Sequence, residues 1–83
     1  MKLRAEIASP KSIKLYRGNV LAGHLYTHDA TFGWRSNANH VGARASKKQW
    51  PTAEEAAYRR WGAEGRAAVR AALAAREQAG VAP

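Results

Sequence analysis

The stretch "PTAEEAAYRRW", residues 51–61, divides the chain in two. Before it, apolar residues alternate in short runs; after it, they recur at helical spacing. Thr52 is a strong N-cap, and Glu55 stands three residues on, at the capping-box spacing. Glu54 and Glu55 fall where the positive end of a helix favours acids. From there Tyr58, Trp61, Gly62, Gly65, Val69, Ala72 and Leu73 lie on one helical stripe. Gly62 and Gly65 each cost about 1 kcal/mol relative to alanine inside a helix. They mark either a close approach to a neighbouring sheet or a kink. The pattern fades at Gly80, which leaves 80–83 as a frayed end.

Upstream, residues 2–8 place Lys2, Arg4 and Glu6 on one side and Leu3, Ala5 and Ile7 on the other, the period of a half-buried strand. "SPKS" at 9–12 reads as a turn, because Pro10 presets its φ and lacks an N–H. Residues 12–17 form a second strand with Ile13 and Leu15 on one face. Gly18–Asn19 is the expected hairpin tip, and the third strand runs about Val20 to Thr27. Its register has two solutions. A two-residue loop puts Leu15 opposite Ala22; a three-residue loop with a bulge unites Ile13, Leu15, Leu21 and Leu25. The second is preferred, since register follows the buried pattern. "HDAT" (28–31) is a further turn, 32–37 a strand, 38–46 a polar loop, and "KKQW" a short last strand.

Eighty-three residues suit one small domain, 1–83. The core candidates are Leu3, Ile7, Ile13, Leu15, Tyr16, Leu21, Leu25, Phe32, Trp34, Trp50, Tyr58, Trp61, Val69 and Leu73. Alanine supplies much of the 46% hydrophobic content but little area per residue. The expected fold class is α+β: an antiparallel sheet of three to five short strands packed on one long C-terminal helix, with any kink near Gly62–Gly65.

Charge is the second constraint. Fourteen Lys+Arg against six Asp+Glu give a formal charge of +8 and a pI near 10.7, which bears on partners rather than on fold. Between Glu6 and Glu54 the only acid is Asp29, whereas Lys11, Lys14, Arg17, Arg35, Arg44, Lys47 and Lys48 all fall there. The run "WRSNANHVGARASKKQW" (34–50) contains no acid. Its Arg35, Arg44, Lys47 and Lys48 offer cations to phosphates, and its Asn37, Asn39 and His40 can hydrogen-bond bases. The bland alternative is lysine guarding a strand edge, with the tryptophans as core. Arg59, Arg66 and Arg70 make a secondary basic edge on the helix. There Glu55–Arg59 is an ordinary i,i+4 pair, while Arg66 and Arg70 repel.

Other chemistry is thinly represented. The absence of cysteine removes disulfides and thiolate metal sites. His24, His28 and His40 with Asp29 lack a second acidic ligand and diagnostic metal spacing. No nucleophile–base pair or phosphate-binding glycine loop occurs, and Gly62-x-x-Gly65 is too short for one. The expectation is a non-enzymatic protein without a cofactor or metal. The N-terminus lacks the apolar core of a signal peptide, and no segment approaches the roughly 20 apolar residues of a membrane span. A cytoplasmic setting, bacterial or in a phage-infected cell, is expected, since a small basic chain rich in arginine and alanine is of the kind phages encode.

Tyr16-Arg17-Gly18 and the run Thr52 to Ala57 after Trp50 resemble the APETALA-type DNA-binding domain of ethylene-response factors and its integrase relatives. The resemblance implies a three-stranded sheet followed by one helix, with the sheet inserted in the major groove. It carries Arg17, Trp34 and Arg35 over as strand residues that contact DNA. The arginine-rich run that follows "YRG" in the family is "NVLAGHLY" here.

The leading expectation is therefore nucleic-acid binding, DNA before RNA, by docking of the sheet face. Arg17, Arg35, Lys47 and Lys48 would hold phosphates, and Trp34, Asn37, Asn39 and Arg44 would approach bases. The alternative is an inhibitor or adaptor that binds a host protein complex of defence or transcription, occupying its nucleic-acid site. A third option is a homodimer formed through the Ala-rich helix from Arg66 to Ala79, whose alanines bury little area.

Overall fold

The computed structural model describes residues 2–28, 33–38 and 48–80. Four strands, β1 (Leu3–Ser9), β2 (Ser12–Arg17), β3 (Val20–Tyr26) and β4 (Arg35–Ala38), precede one C-terminal helical element, α1 (Ala53–Gly80). The strands form an antiparallel meander in the order β1-β2-β3-β4, and α1 packs on one face. This is the expected α+β arrangement. Phe32, most of the expected turn at 28–31, loop residues 39–46, Lys47 and residues 81–83 lie outside the described residues.

Turn chemistry sets the hairpins. At the first, the Lys11 backbone N–H donates to Ser9 Oγ at 3.2 Å, and Ser9 pairs with Ser12 across Pro10. At the second, Gly18 takes φ 60° while Asn19 stays at negative φ, a tight turn with glycine at its first central position. Arg17 faces Val20 across this two-residue loop.

The register of β2 and β3 differs from both sequence solutions by combining them. Tyr16 pairs with Leu21 but Leu15 pairs with Gly23, so Ala22 is an extra residue in β3. Such a bulge restores the inward phase one step late. Leu25 then faces Ile13 and joins the core, as expected, whereas Leu21 falls opposite Tyr16 on the other face. The expected union of Leu21 with Ile13 and Leu15 is thus corrected. The last strand is also shorter than expected. Among the described residues 48–50 of "KKQW" there is a single bridge, in which Trp34 and Trp50 exchange N–H···O bonds of 2.7 and 2.8 Å. Pro51 follows at once and the helix cap begins.

Thr52 caps α1 as its spacing predicts: the Glu55 N–H donates to Thr52 Oγ1 at 3.1 Å. Gly62 then breaks the helix, with φ 70° and ψ −156°, a conformation essentially restricted to glycine. Arg70 Nε reaches Glu54 Oε1 at 2.7 Å, although a straight helix would hold those residues about 24 Å apart. Arg66 likewise reaches Glu55 at 3.3 Å and lies over the Tyr58 ring. The arms 53–61 and 63–80 therefore double back, antiparallel, about Gly62. At Gly65 a Cβ would stand 2.8 Å from the Ala57 carbonyl oxygen and 2.7 Å from Trp61 Cβ, so a side chain there would force the arms apart.

The two arms divide the sheet. Arm 53–61 covers β3 and β4, with Trp61 against Gly23 and Arg60 Nε donating to Ser36 Oγ at 2.8 Å. Arm 63–80 runs along β1: Leu3 shares a cleft with Glu64, Ala67, Ala68 and Ala71, and Ile7 and Pro10 share one with Ala72, Ala75 and Arg76. Between them lies a core of Leu3, Ile13, Leu15, Leu25, Ala53, Ala56, Ala57, Ala68 and Val69. Close approach lets alanine fill positions that larger side chains were expected to take. Tyr16 and Leu21 fall on the opposite face, and Tyr58 is 39% exposed beneath Arg66.

Candidate nucleic-acid interface

Alternation along each strand fixes what the other face of the sheet presents. Three rows cross it, read from the pairing. Arg4, Tyr16 and Leu21 form one, Glu6, Lys14, His24 and Asn37 the second, and Ser12, Tyr26 and Arg35 the third. Both arms of α1 lie on the opposite face. Tyr16, His24 and Tyr26 are half-buried, while Arg4 and Lys14 are exposed.

Contacts within the face hold its planar groups in place. The Arg4 guanidinium lies 4.6 Å from the Tyr16 ring centroid, pairs with Glu6 at 3.2 Å and donates to the Gly18 carbonyl at 3.4 Å. The His24 and Tyr26 rings, two residues apart on β3, stand 5.3 Å centroid to centroid at 34°. Arg35 follows Tyr26 across the strand gap, and Lys14 and Asn37 flank His24. Among the described residues this face carries three cations, Arg4, Lys14 and Arg35, and one carboxylate, Glu6.

The residues expected at the site divide among several places. Arg35 and Asn37 are on the open face. Arg17 is at the opposite side of the sheet, where it pairs with Glu64 of α1 at 2.7 Å, because it shares the inward phase of Ile13 and Leu15. Trp34 also faces inward and packs against the core cluster. Arg17 and Trp34 therefore lie on the helix side of the sheet, apart from Arg35 and Asn37, and Trp34 takes the core place also expected of it. Of the three positions that the APETALA-type resemblance carries over, Arg35 alone lies on the open face. Asn39, Arg44 and Lys47 lie outside the described residues.

Lys48 belongs to a second basic group at the start of α1. Its Nζ lies 4.8 Å from the Trp50 ring centroid, and the Arg59 guanidinium lies 4.5 Å from the same ring. Glu55 binds both Arg59 and Arg66, and Glu54 binds Arg70. The secondary basic edge is therefore knitted to acids across the bend, which offsets the Arg66–Arg70 repulsion expected from sequence.

Arg4, Lys14, Tyr16, His24 and Tyr26 are the open-face residues that sequence reasoning passed over or assigned elsewhere. The signal was present in β2, where Lys14 and Tyr16 alternate with buried Ile13 and Leu15. In β3 it was hidden by the bulge. Among the described residues no three His, Asp or Glu side chains gather as they would around a metal ion, and no helix is long and apolar enough to cross a membrane. The Ala-rich arm turns Ala68 and Val69 into the core and leaves Ala71, Ala74 and Ala75 exposed.

No family model, curated protein or solved structure matches the chain.

Proposed function

We propose that the protein binds nucleic acid through the open face of its sheet, without catalysing a reaction on it. One observation carries the reading: the face opposite the core presents three planar side chains, Tyr16, His24 and Tyr26, interleaved with Arg4, Lys14, Arg35 and Asn37. Among the described residues no element of the fold packs on this face. A polyanion with planar bases matches both components, phosphates meeting the cations and bases meeting rings and amide. The net charge of +8 favours the same partner.

In this arrangement Arg4, Lys14 and Arg35 hold phosphates, and His24 and Asn37 reach base edges. The segment 39–47 leaves directly from β4, so Asn39, Arg44 and Lys47 follow the open-face residues in the chain. Lys48 and Arg59, stacked on Trp50 at the start of α1, form a separate basic group on the helix side of the sheet. The resemblance noted above makes DNA the first polymer to test.

A gel-shift series with duplex DNA, single-stranded DNA and RNA across a salt gradient tests the reading. Binding that weakens steeply between low and physiological salt supports it. Affinity that stays flat with salt, or is absent throughout, overturns it. Capture from host lysate with and without nuclease separates this reading from a protein-directed adaptor, whose partner would survive the nuclease.

A further inference from the structure

We infer that the polymer taken by the open face is single-stranded, with successive bases stacking on Tyr26 and His24; this rests on the nucleic-acid reading above. Two observations lead there. The first is width. Three inter-strand gaps of about 4.8 Å make a four-stranded sheet about 14 Å across before side chains are counted. The duplex major groove is about 12 Å wide and admits a helix or a two-stranded ribbon. The full set of rows on this face cannot enter such a groove together.

The second is the spacing of the rings. His24 and Tyr26 are 5.3 Å apart and tilted by 34°. Bases stacked within one strand of a duplex are about 3.4 Å apart, so two neighbouring bases cannot remain stacked on each other and also lie on these two rings. A single strand with splayed bases can satisfy both. Each ring has the companions such a strand requires. His24 lies between Lys14 and Asn37, a cation for phosphate and an amide for a base edge. Tyr26 lies between Ser12 and Arg35, a hydroxyl and a guanidinium. The planar groups Tyr16, His24 and Tyr26 occupy the interior strands β2 and β3, and Arg4 and Arg35 lie on the outer strands β1 and β4. Bases would cross the middle of the sheet while the backbone follows its charged margins.

The test is fluorescence anisotropy with labelled mixed-sequence oligonucleotides of about 12 nucleotides, within the usual site-size range. Single-stranded DNA, RNA of the same sequence and the corresponding DNA duplex are compared at one low salt concentration, with the wild-type chain and with Tyr26→Phe, Tyr26→Leu and His24→Leu. Single strands should bind at least about tenfold tighter than the duplex, and Tyr26→Leu should weaken single-strand binding roughly 5- to 100-fold while Tyr26→Phe preserves it. Circular dichroism melting confirms that each variant is folded, and His24→Leu carries the comparison if Tyr26→Leu melts early. If the duplex binds as tightly as the single strands, or a folded ring-deleted variant binds them like the wild type, the inference falls and the broader reading stands. Failure of all three polymers to bind removes both.

Discussion

The indole of Trp61 lies directly on Gly23. A Cβ at position 23 would stand 2.6 Å from Trp61 Cζ2, 3.0 Å from Ala38 Cα, and closer still to the Asn37 carbonyl oxygen. Glycine at this point of β3 sets how near the arm 53–61 approaches the sheet.

Gly23→Ala should therefore destabilise the fold by about 1–3 kcal/mol, the usual range for overpacking. Chemical denaturation measures it. Combined with Trp61→Leu, the loss should be smaller than the two single losses together, because one clash disappears with the ring. Strict additivity would show that the ring and residue 23 do not touch.

Gly62→Ala tests a different constraint. Apart from its own helical backbone and chain neighbours, nothing lies within 4 Å of a Cβ placed there, so space is not limiting. The backbone conformation is, and forcing alanine into it should cost about 1–3 kcal/mol. An unchanged denaturation midpoint would mean that the helix does not bend in this way at Gly62.

The salt dependence of binding separates the two sides of the sheet. Lys14→Gln and Arg35→Gln should each reduce the slope of log affinity against log salt by about 1, as expected for one lost phosphate contact. Arg17→Gln should leave the slope unchanged, because Arg17 pairs with Glu64 on the helix side. A reversed ranking would place the binding surface on the wrong side of the sheet.

Ion pairs across the bend should matter little one at a time. Arg70 is 68% exposed in its pair with Glu54, so Arg70→Ala should alter stability by less than about 1 kcal/mol. Glu55→Gln should cost more than Glu54→Gln, since Glu55 holds Arg59 and Arg66 together. Thermal melts of the three variants, repeated at high salt to screen the pairs, check both statements.

Much of this architecture was legible in local signals. Alternation in 2–8, Pro10, the Gly18–Asn19 tip and the Thr52 cap each depend on only a few neighbouring residues, and each predicted its element. The Ala22 bulge was not legible in full. No nearby residue distinguishes a bulge at Ala22 from a longer loop, yet the phase of Leu21 depends on it. Gly62 and Gly65 marked the bend, but the doubling back is held by contacts such as Glu54–Arg70, sixteen positions apart. Periodicity within one helix cannot register that separation. The phase of Arg17, two residues beyond Leu15 on the inward face, was legible in the alternation of β2, but charge and the family resemblance grouped it with Arg35.

The placement of arm 63–80 along β1 gives the folding reaction its longest-range step. Every strand pairing joins neighbours in the chain, and the two arms meet through a bend of one residue. Bringing β1 against the last arm instead closes a loop of about 60 residues, whose entropic cost grows only with the logarithm of its length. Until that closure, Leu3 and Ile7 have no helix to cover them, although the hairpin that carries them can already pair. The rate of folding should follow how readily the two ends of the chain find each other, and an early chain lacking its final arm would expose the inner face of β1 as an apolar patch.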